Sequence, residues 1–299
     1  MNAHQLDIFL DSHEVTLANE VVAALCAHDS ERTAQSIARL RAEAPQRPDL
    51  AVFDSLNAFL ELTREIHTAG LDADALELTV EVLNTRIVPA AGILGSAAKG
   101  FLAFLWLQLA RAATHPFDRE RPHLHAADLF LRAQAYDAAE AAAIGIAGAD
   151  TDRAVLRWRA IARYRRAGLK AARGEILAFA WYAPDAFPDL LRELGDSQLD
   201  KDWLAFKAEV EDSGNAWLPA WYLLRHPAVS AEIGSEPESG LPQAIESRPA
   251  RQAFCLLTRI LDLEKQGHSR TLIEYRARLK ATAAGFFAIY MRSREVQHR

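Results

Sequence analysis

Apolar residues recur every three or four positions along most of the chain, the spacing of one face of an α-helix. Phe53, Leu56, Phe59, Leu60 and Ile66 fall on one side of a helix over about 49–69, which Gly70 stops. Asp11 with Glu14 forms a candidate capping box opening a helix through Val21, Val22 and Leu25. Asp29-Ser30 starts another, which Pro45 and Pro48 close. The same reading predicts helices near 73–87, 96–113, 124–134, 136–147, 151–167, 169–182, 187–194, 199–211, 215–226, 250–266 and 269–294. No run of alternating β-branched residues bounded by hairpin turns stands out. The expected fold is all-α, a stack of antiparallel helix pairs or an irregular bundle.

The expected organisation is a short extended segment over 1–10, a helical-repeat-like domain over 11–231, an exposed loop over 232–249 and a C-terminal helical pair over 250–299 packed on the same domain. The loop is rich in Gly, Pro and Ser, which favour turns. Ala127, Phe130, Tyr136 and Ala139 align with Ala160, Arg163, Leu169 and Ala172 at a constant offset of 33, and Pro184 closes the second copy. Leu25, Ala34, Ala38 and Pro45 make an earlier candidate. Residues 15–60 and 123–184 thus resemble degenerate tetratricopeptide-like helix pairs, without the characteristic Trp and Gly. The resemblance implies a curved stack whose concave surface binds other proteins.

Composition narrows the class. Half of the 299 residues are hydrophobic and a quarter charged, which suits a folded core and not a disordered chain. The net charge of −6 is uneven: residues 1–150 carry 11 basic and 21 acidic side chains. A bulk polycation for nucleic acid is excluded. The two cysteines make no disulfide framework, so a reducing cytoplasm is expected. The N-terminus lacks the basic and apolar regions of a secretory signal. Ile87–Leu107 has one charge, Lys99, but Pro89, Gly92, Gly95 and Gly100 make it a loop followed by a buried helix rather than a membrane span.

Catalytic signatures are missing: there is no G-x-S-x-G elbow, no C-x-x-C and no complete phosphate loop around Gly95–Gly100. No enzyme activity, cofactor or metal site is assigned. His115, His123 and His125, with Asp118 and Glu120, cluster in one loop, but their spacing matches no defined metal site. Arg159, Arg163, Arg166, Lys170 and Arg173 would form one basic stripe on a continuous helix; Gly168 is expected to split it across a turn. With the aromatic residues of 158–222, this stripe supports an alternative function, a nucleic-acid-binding accessory factor using 153–173. At helical spacing the aromatics also fit a core.

Gln5-Leu6-Asp7-Ile8-Phe9 resembles the pentapeptide, Q-L-[S/D]-L-F, with which bacterial partners bind the replication sliding clamp. That resemblance implies Gln5 as a polar anchor, Leu6, Ile8 and Phe9 as apolar plugs, and Asp7 as a match; Ile8 departs from the usual Leu. An alternative stays open, in which Ile8, Phe9 and Leu10 fold back as a hydrophobic staple on Val15 and Leu17. The leading expectation is a non-enzymatic, cytoplasmic, bacterial-type protein-interaction scaffold, able to reach the clamp through 5–9.

Overall fold

The protein is all-α. The computed structural model describes residues 3–69, 71–148, 151–210, 214–229, 248–267 and 269–297, without the side chains of 3–12, 67–69 and 296–297. The backbone from Ala3 on is already helical, so the extended segment expected over 1–10 and the helix start expected at Asp11 are not found; the pentapeptide side chains and most of the expected 232–249 loop lie outside the described residues. The chain divides into two compact units, Met1–Ala142 and Ala143–Arg299.

The first unit contains α1 (Ala3–Cys26), α2 (Ser30–Glu43), α3 (Leu50–Ala69), α4 (Ala73–Val82), α5 (Val88–Ala90), α6 (Ala98–Ala112) and α7 (Ala126–Arg132). α8 (Tyr136–Ile144) contains the boundary between the units. The sequence carries no Gly- or Pro-rich linker there. α1 packs on α2, α2 on α3, α3 on α6 and α6 on α7. Their buried faces join Val21, Leu25, Leu40, Phe53, Leu56, Leu60, Phe101, Leu105 and Leu109 in one core.

Between α1 and α2 the chain turns at His28, which takes φ +56°. Asp29 N–H donates to Ala24 O and His28 N–H to Leu25 O, the paired bonds of a Schellman motif with histidine where glycine is usual. The ring stacks on Phe104, 3.8 Å between centroids, and burial pushes its pKa down. Asp29 then caps α2 by accepting from Arg32 N–H at 3.0 Å.

The stretch Ala73–Ala112 is helical almost throughout, and by length and composition alone it is apolar enough to cross a membrane. It is not one rod. A straight helix of that length would part its ends by roughly 60 Å. Yet Leu71 and Ala113, which flank it, meet in an isolated β-bridge. The reversal comes at Gly95, where φ is +57° and ψ −127°. The expected loop after Ile87 is instead helical up to this point. A π-turn spans Leu83–Ile87, and a 3-10 turn spans Ala91–Ala97 around Gly95. Pro89 has no N–H to donate to Thr85 O, so the ordinary ladder fails there. Val88 N–H reaches back to Leu83 O, the longer bond of a π-helix.

The second unit contains α9 (Arg153–Tyr182), α10 (Phe187–Leu194), α11 (Ser197–Glu209), α12 (Leu218–Arg225), α13 (Pro249–Gln266), α14 (Arg270–Thr282) and α15 (Ala284–Gln297). α9 is also a hairpin. Gly168 sits at φ +77° and ψ 179°, which is not helical, and Arg163 bonds Glu175, twelve residues on. A straight helix would hold those two residues roughly 18 Å apart. The two arms match the helices predicted over 151–167 and 169–182.

The predicted helix 269–294 is broken in the structure. Ala283, at φ −153° and ψ 71°, ends α14, and α15 starts anew. The break brings Tyr290, fully buried, onto Glu264 of α13. Of the aromatic residues, Trp158, Trp181, Trp221, Tyr222, Phe286 and Tyr290 are buried, while Tyr182, Trp203, Trp217, Tyr275 and Phe287 are half-buried. Phe187, Trp203, Phe206 and Trp221 follow one another at centroid spacings of 5.5, 5.7 and 5.8 Å.

Candidate interaction site

In the second unit the basic stripe is divided by the Gly168 turn. Arg159 and Arg163, on the first arm, both face Glu175 on the second, a carboxylate only 9% exposed. Arg173 stands over the Tyr222 ring at 5.9 Å. Burial pushes the Tyr222 phenol up, and the Arg173 charge opposes this. Arg166 and Lys170 lie exposed near the turn. Neighbouring arginines are tied down too: Arg157 pairs with Glu193, and Arg165 donates to the Glu193 carbonyl at 2.6 Å. The described geometry uses these guanidinium groups to hold helices together, which leaves less positive charge facing outward.

The histidine loop, in the first unit, is also structural in its described contacts. His125 is the N-cap of α7, its Nδ1 accepting from Ala127 N–H at 3.2 Å. Burial pushes its pKa down, and the nearby His115 adds to the shift, so the neutral ring that can accept is favoured. His115 Nδ1 lies 3.1 Å from Pro116 O. Arg121 closes the loop onto α4 through Asp74 at 2.8 Å and Glu77 at 3.3 Å. Among the described residues no group of three His, Cys, Asp or Glu side chains is placed to hold a metal ion.

The first unit also carries an apolar groove of about 460 Å³. One wall is α3, through Ala51, Ser55, Ala58 and Leu62, which follow one another at helical spacing. The other is the irregular stretch after α4, through Val82, Arg86, Ile87 and Ala90. Phe59 and Ile87 are buried and close the floor. Small side chains at 51, 55 and 58 keep the α3 wall low, while Leu62 stands 40% exposed at one end. The π-turn shapes the second wall, because its wider turn sets Ile87 inward while Arg86 stays exposed. Arg86 has no ion-pair partner among the described residues. An apolar channel with one unmatched cation can accept a helix that presents an apolar stripe and a carboxylate.

No family model, curated protein or solved structure matches this chain.

The sequence marked Phe59 and Ile87 only as apolar positions and gave no sign of a groove. Positions 51, 55, 58 and 62 lie on the face of α3 away from Phe53, Leu56 and Leu60, where small and polar residues read as ordinary surface. Only the wall supplied by the π-turn makes them a groove.

Proposed function

We propose that the protein is a non-enzymatic interaction protein that docks an amphipathic helix of a partner in the groove between α3 and Val82–Ala90. The observation that carries this reading is the groove itself: apolar walls, the exposed Leu62 and the unmatched Arg86. The partner helix supplies apolar anchors three and four residues apart and a carboxylate for Arg86. The succession α1 on α2 on α3 supports a repeat-like stack in this unit.

A photo-crosslinking residue at position 62 is the test. The expected capture is one partner whose crosslinked segment is amphipathic and carries an acidic residue. A synthetic peptide of that segment should bind the purified protein. Arg86→Glu and Ala58→Trp should each weaken that binding at least about tenfold, about 1.4 kcal/mol. Crosslinks scattered over many proteins, or peptide binding indifferent to both substitutions, would overturn the reading. A crosslink to a second copy of the chain, with a dimer in solution, would replace it with self-association.

The pentapeptide supports a second contact on its sequence alone: Gln5, Leu6, Ile8 and Phe9 dock a bacterial sliding clamp. Calorimetry with a purified clamp should show micromolar binding that a Leu6→Ala, Phe9→Ala double variant loses, with its circular dichroism unchanged. No heat of binding would remove the clamp from the proposal and leave the groove reading standing. The described geometry favours no nucleic-acid reading, since Arg159, Arg163 and Arg173 are engaged within the second unit.

A further inference from the structure

The second unit holds a cleft of about 540 Å³ with a different chemistry from the groove. Three elements line it: the end of α11 with Ala208 and Glu209, α12 with Trp221, Leu224 and Arg225, and α15 with Ile289, Arg292 and Ser293. Its volume falls in the range of small-molecule sites.

The polar groups in the cleft are not equivalent. Glu209 is committed on both oxygens: Oε2 accepts from the Trp221 indole N–H at 2.9 Å, and Oε1 accepts from Arg225. Its negative charge is therefore matched where it stands. Ser293 has spent its proton, donating to Tyr290 O at 2.6 Å. Arg292 is different. It is exposed, and among the described residues no carboxylate or other acceptor meets it. With Glu209 and Arg225 cancelling, the cleft keeps one positive charge, held on a rigid helix beside Ala208, Leu224 and Ile289. Arg225 uses one of its five N–H donors on Glu209 and keeps others for a second acceptor.

We propose that this cleft binds a small organic monoanion, a carboxylate with an apolar body. Its carboxylate pairs with Arg292, and its body covers the apolar wall. A guanidinium matches a carboxylate's two oxygens in a fork, which gives a directional preference for this charge. A cationic ligand of the same shape is repelled by the Arg292 charge, and a neutral one forms no charge-assisted pair with it, because the Glu209 charge is already balanced by Arg225.

The test compares phenylacetate with 2-phenylethanol and phenethylamine, which share the ring and differ in charge. The readout is the indole N–H region of a ¹H–¹⁵N spectrum of the full chain, where the Trp221 signal reports on the bond to Glu209. Phenylacetate is expected to shift that signal with a Kd of about 1 mM, ordinary for a fragment of this size. The alcohol and the amine should leave it in place. Arg292→Gln should weaken binding at least about tenfold without changing the melting temperature, because the side chain is exposed and supports nothing else. Ala208→Trp, which fills the cleft from α11, should abolish the shift independently. Equal responses to all three compounds, or a phenylacetate affinity unchanged in both variants, would overturn the proposal.

Discussion

Gly168→Ala is expected to destabilise the protein by about 2–3 kcal/mol, while Gly174→Ala, six residues on in the same helix, is expected to stabilise it by about 0.5–1 kcal/mol. Neither position is crowded: a Cβ built at either glycine meets nothing within 4 Å. The difference is in the backbone. Gly168 takes φ +77° and ψ 179°, a region that only glycine occupies at low cost. Gly174 is helical, and there alanine is the better residue. Alanine at 168 has a second effect. It favours a continuous helix through the turn, which would carry Glu175 away from Arg159 and Arg163 and leave a nearly buried carboxylate without them. Thermal melts of the two variants beside wild type check the pair. A like sign at both positions would show that the turn is not what Gly168 provides. Gly95→Ala, at φ +57°, is expected to follow Gly168→Ala.

How much of this was legible in the sequence depends on where the physical cause lies. Helix identity and most caps are local, so the α2 start at Asp29 and the stop near Gly70 could be read directly. Gly168 could be read because a glycine in an arginine-rich helix is a known weak point. Gly95 was legible as a break but not as a compact reversal. Pro89 suggested a loop, whereas the chain met its missing N–H with a π-turn and stayed helical. The break at Ala283 left one weak signal, Gly285 two residues on, because Thr282-Ala283-Ala284 is itself acceptable helix sequence. It exists because Tyr290 is drawn to Glu264, a contact across 26 residues. The groove and the cleft were invisible for the same reason. Each is made by side chains from separate elements, and no single stretch contains its pattern.

Arg159, Arg163, Arg166, Lys170 and Arg173 are spaced as a stripe, but spacing does not say what faces them. Glu175 lies in the same helix and meets the first two only because the chain doubles back. A sequence window cannot separate a solvent-facing basic stripe from two arms that pair with each other.

Glu264→Ala is expected to cost about 3 kcal/mol. Glu264 lies on α13 and ties down both following helices. Its Oε1 accepts from the Tyr290 hydroxyl and from Arg276 Nη2 at 2.8 Å, and its Oε2 lies 3.5 Å from Arg294. Arg276 Nε also donates to the Tyr290 oxygen at 2.7 Å. Removing the carboxylate leaves two half-buried guanidinium groups and a buried phenol short of an acceptor, and that loss exceeds what the ion pairs contribute net. A fall of roughly 6 °C or more in the melting temperature is the expected reading. Tyr290→Phe removes only the hydroxyl and should cost about 1–2 kcal/mol at neutral pH. Its sharper signature is alkaline. Burial first, and then the bond to Glu264, push the Tyr290 phenol up to about 12. The folded state therefore holds this proton more tightly than the unfolded chain, whose tyrosines titrate near 10. The stabilisation is complete below pH 10 and is lost as pH rises through 12. Wild type should lose stability across that window more steeply than Tyr290→Phe, measured by urea melts at pH 9, 10 and 11. Burial also raises Tyr164 and Tyr222, so the variant should flatten the slope without abolishing it. An unchanged slope would mean that the three-helix junction does not rest on this phenol.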